Sequence, residues 1–289
     1  MDIAIGLPAR PMADAHDHVL SWAVTADVGP FSSLVIGDRV IAPAHEALTA
    51  LAAAAGVTRR IRLMASLVVG PARETTLLAR QSATIQVLSG GRLSLGLGVG
   101  IREEDFRATR TGFHDRGRRF ESQLAEIRRL WRGEALDDGT PPTGIPLGDV
   151  GPPEVLIGGY VDAVAGRIAR WGDGFMAPGG GEPARMAALW RTIQTTWVDA
   201  GRPGAPRWVA GTYFALGPDA TSQARRYIDM YYGYDPVVAA RRLADLPTTP
   251  RQVLERIRRH ADDGVDELVM RPVIADPAMR DRLADLVPR

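Results

Sequence analysis

Four groups of residues in this 289-residue chain have types and spacing that could do chemistry. The first is glycine: Gly96, Gly98 and Gly100 alternate along one stretch, and Gly158-Gly159 precedes Tyr160. A glycine pair between a strand and a helix leaves free N–H groups at the positive end of the helix, which suits a phosphate. Alternating glycines let a backbone approach a flat ligand closely. Tight turns explain either motif alone; together on neighbouring strands they favour a phosphate-bearing cofactor. A dinucleotide fingerprint does not fit, because Ile101 stands where G-x-G-x-x-G would continue. The second group is Asp38-Arg39, where Asp38 reads as a general base or as the ion-pair partner of Arg39. The third is His16-Asp17-His18, a metal-type pair. It needs further ligands at later strand ends, and His45, His114 and His260 do not supply them, so no metal is expected. The fourth is the tyrosines Tyr160, Tyr213, Tyr231, Tyr232 and Tyr234, which read as a pocket mouth or as surface packing.

Composition removes whole reaction classes. All 35 basic residues are arginine, and the chain has no lysine, cysteine or asparagine. Lysine Schiff bases and Walker A loops are therefore excluded. So are thiolate nucleophiles, disulfides and cysteine metal sites. Codon bias accounts for the missing lysine and asparagine. A net charge of +1 lacks the basic excess of a nucleic-acid binder. No apolar run approaches the ~20 residues of a membrane span, so a cytoplasmic protein with no membrane partner is expected.

These residues must be positioned by the elements between them. Apolar runs at Ile3–Gly6, Ser33–Ile36, Ile61–Val69, Leu93–Leu97, Val155–Ile157, Gly174–Met176, Trp208–Leu216 and Glu267–Arg271 read as eight strands. Helical stretches follow them: Asp14–Val28, His45–Ala55, Thr75–Leu88, Asp115–Trp131, Val161–Trp171, Pro183–Ala200, Thr221–Tyr232 and Pro277–Leu286. Phe120, Leu124, Ile127 and Trp131 share one helix face. Extra helices are expected at about 235–264 and a long loop at about 133–153. Eight strand–helix repeats in one chain predict an α/β fold, a single (β/α)8 TIM barrel over residues 1–289 with extended βα loops. Its site would lie at the C-terminal ends of the strands.

The stretch Leu77 to Gly100, LLARQSATIQVLSGGRLSLGLGVG, resembles the bacterial luciferase-like oxidoreductases. Ser33–Asp38, Phe113–Phe120, Leu130-Trp131, Ile157–Gly159 and Gly172–Phe175 agree with the same family. Three departures stand out: Gln86 replaces a usual aspartate, Thr75 a common proline, and Arg39 a frequent histidine. The resemblance implies a barrel using FMN or the deazaflavin coenzyme F-420, with G+C-rich coding favouring F-420. It implies hydride transfer to, or oxygen activation for, a small-molecule substrate. A separate reductase supplying reduced cofactor and a homodimer are further expectations.

By position, the resemblance implies that Asp38 and Arg39 face the substrate side of the ring. Ser66, Leu67 and Val68 would form a bulge, often with a cis peptide, behind the ring. Gly98, Val99 and Gly100 would pass beside the cofactor. Gly158, Gly159 and Tyr160 would hold its phosphate or ribityl chain. Arg92 and Asp173 would be structural. Without lysine, anions fall to backbone N–H groups and arginine, with Arg39, Arg73 and Arg271 expected at the rim. The alternative reading is a non-catalytic flavin-binding barrel, a carrier or assembly partner.

Overall fold

The computed structural model describes residues 1–7, 18–42, 44–135, 146–177, 183–233 and 235–287. Eight parallel strands close a barrel in sequence order. They are β1 (Asp2–Gly6), β2 (Ser33–Ile36), β3 (Arg62–Val69), β4 (Leu93–Gly98), β5 (Glu154–Gly158), β6 (Gly174–Met176), β7 (Arg207–Phe214) and β8 (Glu267–Pro272). The helices around them are α1 (His18–Val28), α2 (Ala47–Val57), α3 (Thr75–Leu88), α4 (Glu103–Ala108), α5 (Arg116–Trp131), α6 (Ala163–Trp171), α7 (Pro183–Asp199), α8 (Ala220–Tyr232), α9 (Pro236–Asp245), α10 (Pro250–Asp262) and α11 (Pro277–Ala284). The expected barrel is the observed one.

Local chemistry explains the boundaries. Glu46 caps α2 by accepting from the N–H groups of Leu48 and Thr49, so the helix starts after the expected His45. Gly56 does not stop it; the helix runs through Gly56 to Val57, because the Thr58 N–H still bonds to Ala54. Glu74 caps α3 in the same way. Pro236, Pro250 and Pro277 each open a helix, where a missing N–H costs nothing. β7 stops at Phe214, two residues before the expected Leu216. The short helix α4 is absent from the sequence reading. Its six residues span too few turns to show a periodicity. Asp14, His16, Asp17, Tyr234, the glycine triplet 179–181 and residues 136–145 of the expected loop lie outside the described residues.

The family-pattern residues set aside as structural hold the barrel together. Arg92 donates to the carbonyls of Thr58, Ile61 and Ser89, which fastens the turn before β4 to the start of β3. Gln86 is buried. Its Oε1 accepts from the Leu93 N–H and its Nε2 donates to Gly151, so it clamps the GGR turn that an aspartate commonly serves. Asp173 accepts from the Val155 N–H at 2.8 Å and pairs with Arg128 at 2.9 Å. On α5, Phe120, Leu124, Ile127 and Trp131 are all buried, as their spacing requires.

Inside the barrel, side chains alternate in and out along each strand. Ala4, Val35, Met64, Leu156, Met176, Val209 and Val269 fill the middle. The N-terminal end is charged: Arg207 bonds to Glu154 at 2.6 Å and to the fully buried Glu267 at 2.5 Å. Ser32 and Ser94 donate to the same two carboxylates. Two residues further along from the apolar layer, toward the C-terminal ends, the inward positions are Gly6, Gly37, Ser66, Gly158, Gly211 and Arg271, joined on β4 by Gly98.

Candidate active site

The ring of glycines at the mouth is matched to two side chains that lie across it. A Cβ on Gly158 would collide with the Leu67 side chain and one on Gly98 would press on it at 3.0 Å, while one on Gly96 would run first into the Ala65 carbonyl and then into Leu67 at 3.1 Å. A Cβ on Gly211 would meet the Arg271 guanidinium, and one on Gly6 would meet the Arg271 stem. Four strands thus give up their side chains so that Leu67 and Arg271 can form a floor. At Gly37 the only near neighbour among the described residues is the Ser66 carbonyl at 3.6 Å.

Leu67 reaches this position through an irregularity in β3. The β3–β4 register shifts between Ala65 and Val68, and the Ser66–Leu67 peptide is cis. Ser66 Oγ accepts a 2.5 Å bond from Arg271 Nη2 across the barrel. Val68 is fully buried. Val69 returns to the ladder, and its N–H donates to Asp38 at 3.1 Å.

Asp38 pairs with Arg73 at 2.9 Å; the expected pair with Arg39 does not form. Its side chain is 4% exposed. Burial pushes the Asp38 carboxyl up, against the opposing pull of Arg73 and the Val69 N–H. Arg73 also bonds to Glu46 at 2.8 Å, so two carboxylates occupy it and it is no rim cation. Arg39 instead turns over the Tyr231 ring, 5.2 Å from its centroid, and lies 3.9 Å from Glu104.

The remaining predicted residues converge on one cleft of about 2160 Å³, which Asp38, Arg39, Ser66, Leu67, Val68, Gly98, Val99, Gly100, Gly158, Gly159 and Tyr160 all line. Its lining also continues into a groove between α7 and α10, past Trp190 and Trp208. Gly100 has φ +79°, a conformation that favours glycine, and Arg116 holds it by donating to its carbonyl at 3.1 Å. Between β5 and α6, the N–H groups of Tyr160, Val161 and Asp162 have no acceptor among the described residues. Arg185 donates to the Tyr160 carbonyl at 2.8 Å and pins this turn. Three free donors ahead of a helix make an anion cradle. His18 opens α1, and among the described residues no cluster of His, Asp and Glu could hold a metal.

Comparison with known proteins fits this geometry. A sequence profile described as luciferase-like monooxygenase matches residues 3–279, nearly the whole chain. The chain belongs to this family. Among sequence relatives, an uncharacterised protein of Mycobacterium tuberculosis is 30% identical over 165 residues, covering 55% of this chain and 57% of that one. An F-420-dependent glucose-6-phosphate dehydrogenase of Beutenbergia cavernae is 29% identical over 195 residues, covering 62% and 57%. The matched region thus spans little over half the length of these relatives. The fold is that of a monooxygenase from Streptomyces bottropensis (TM-score 0.77, 23% identity, 99% and 97% covered). It is equally that of an F-420-dependent secondary alcohol dehydrogenase (TM-score 0.79, 17% identity, 100% and 99% covered).

Within this luciferase-like barrel, three contributors escaped the sequence. Arg116 supports Gly100, Arg185 supports Tyr160, and Tyr227 joins the tyrosine group. Tyr227 stacks on Tyr231 with ring centroids 5.9 Å apart and planes 4° apart, and lies 5.0 Å from Tyr213. Its spacing to Tyr231, one helical turn, was the available signal. The two arginines act on backbone carbonyls, which no residue spacing reveals.

Proposed function

We propose that the chain is an oxidoreductase that holds reduced FMN or coenzyme F-420 in the mouth of the barrel and acts on a small organic substrate. The observation that carries this reading is the glycine-lined mouth, opened on five strands and floored by Leu67. A planar ring system fits such a surface because no side chain stands up from it. The bound cofactor would supply hydride or, as FMN, the means to activate oxygen.

The residues divide the work. The N–H groups of Tyr160, Val161 and Asp162 would hold the cofactor phosphate, with Gly159 allowing the approach. Gly98 to Gly100 would flank the ring. Leu67 would back one face and exclude water from it. Arg271, fixed by Ser66, would set a positive charge beside the ring and favour its electron-rich reduced form. Asp38 would act through the Val69 N–H and Arg73 by keeping the end of β3 in place, a positioning role.

Tryptophan-fluorescence titration of the purified protein with FMN and with F-420 tests the reading. One of them is expected to bind with a Kd below ~100 μM. If neither does, the proposal fails. A carrier is distinguished by tight cofactor binding without turnover of any substrate in a panel supplied with reduced cofactor.

A further inference from the structure

Four tyrosines form one wall of the cleft. Tyr213 lies at the end of β7; Tyr227, Tyr231 and Tyr232 lie on α8. Tyr213 and Tyr227 are 5.0 Å apart, Tyr227 and Tyr231 are stacked, and the Tyr213 and Tyr232 hydroxyls are 3.3 Å apart. Tyr213, Tyr227 and Tyr231 are only partly buried and line the cavity. At the far end of this wall Arg39 lies over Tyr231.

Arg39 is under-used as a cation. Its one ion pair among the described residues is the loose contact with Glu104, whose side chain is 39% exposed. Its Nε is buried and has no hydrogen-bond partner among the described residues. The neighbouring phenols do not compensate it. Burial pushes Tyr213 and Tyr232 upward and Tyr227 to about 12, so all three stay neutral at physiological pH. Arg102, Arg116 and Arg271 line the same end of the cleft.

We propose that this wall is the substrate site and that it selects a planar organic acid: an aromatic or conjugated carboxylate whose ring lies on Tyr213, Tyr227 and Tyr231 and whose anionic group pairs with Arg39. The inference rests on the redox reading above, since it names the substrate of that same cleft. A guanidinium fork matches a carboxylate in two parallel hydrogen bonds, a geometry that a lysine point charge lacks. A cluster of tyrosine rings offers stacked and edge-on contacts to a conjugated system and little to a branched one. Arg39 is then a specificity residue, and it takes no proton from the substrate.

Matched acid and amide pairs test this: benzoate against benzamide, and trans-cinnamate against cinnamamide. Binding is measured by calorimetry on the wild type and on R39Q, R39K and Y231L, each first checked for an unchanged circular-dichroism spectrum and melting temperature. In the wild type at least one acid is expected to bind ~10-fold or more tightly than its amide, the gain of one charge-assisted pair. R39Q erases that gap and leaves the amide unchanged. R39K, a point charge without the fork, keeps part of it. Y231L weakens acid and amide together. If no acid binds more tightly than its amide, or if the gap survives in R39Q, the proposal is overturned. Titration of the same samples with FMN and F-420 separates the two readings. Cofactor binding without an acid–amide gap sinks the substrate assignment alone. A gap without cofactor binding sinks the redox reading.

Discussion

At the scale of single residues, the decisive positions are those where a side chain is missing. Gly98, Gly158 and Gly211 are occupied by the side chains of others, so enlarging them disturbs the floor itself. Gly37 is different: among the described residues, only the Ser66 carbonyl, at 3.6 Å, stands near its would-be Cβ. Gly37→Leu should therefore fill the mouth while leaving the barrel intact. Thermal unfolding is expected to stay within the ±0.5 kcal/mol typical of surface substitutions, while cofactor affinity falls at least ~10-fold. A variant that binds as the wild type does would remove Gly37 from the site. Asp38 shows the limit of reading residues singly. The adjacent Arg39 suggested an ion pair, yet the partner is Arg73, 35 positions away. Adjacent residues on an extended backbone point to opposite sides, so proximity in sequence argued against the contact as much as for it.

At the scale of elements, the strand-end assignments came from alternation and glycine punctuation, and these are what the barrel displays. Eight apolar runs, each followed by an amphipathic stretch, leave little choice of topology. What sequence could not carry was contacts between elements far apart in the chain. Asp27 is an example. It ends the buried face of α1, and its carboxylate accepts from the N–H groups of Arg59, Arg60 and Ile61 at the start of β3. Burial raises its pKa, but these three donors outweigh burial and hold the carboxyl below its ordinary value. A depressed folded-state pKa adds stability above the unfolded value near ~3.9, and that stability is lost as pH falls through the folded value. Asp27→Asn should thus cost about 1 kcal/mol at neutral pH, because the site is solvent-screened and the amide oxygen still accepts. The gap between wild type and variant should close below about pH 4 in urea unfolding series. A gap that does not narrow with acid would show that the charge is irrelevant. The same limit explains Arg116 and Arg185, each defined by what it touches across the molecule, whereas α4 is too short to show a period.

At the scale of the whole molecule, the barrel has two unlike ends. The mouth is emptied by glycine; the base is sealed by Arg207 between Glu154 and Glu267. Arg207→Ala would leave Glu267 buried without its cation, which costs about 3–5 kcal/mol in comparable pairs. The expected outcome is a marked fall in melting temperature with no change in cofactor affinity for the protein that remains folded. A loss of affinity at temperatures well below the transition would mean that the base communicates with the mouth. Between the two ends, Met64, Leu156, Val209 and their neighbours pack the interior solid.

That sealed base dictates an order of events. Among the described residues the packed interior closes the barrel from below, so a ligand resting on Leu67 and Arg271 would arrive before one that covers it, and would leave after it. On the proposed reading, the cofactor would lie beneath the substrate, and the lifetime of the upper ligand would become the clock for the lower one.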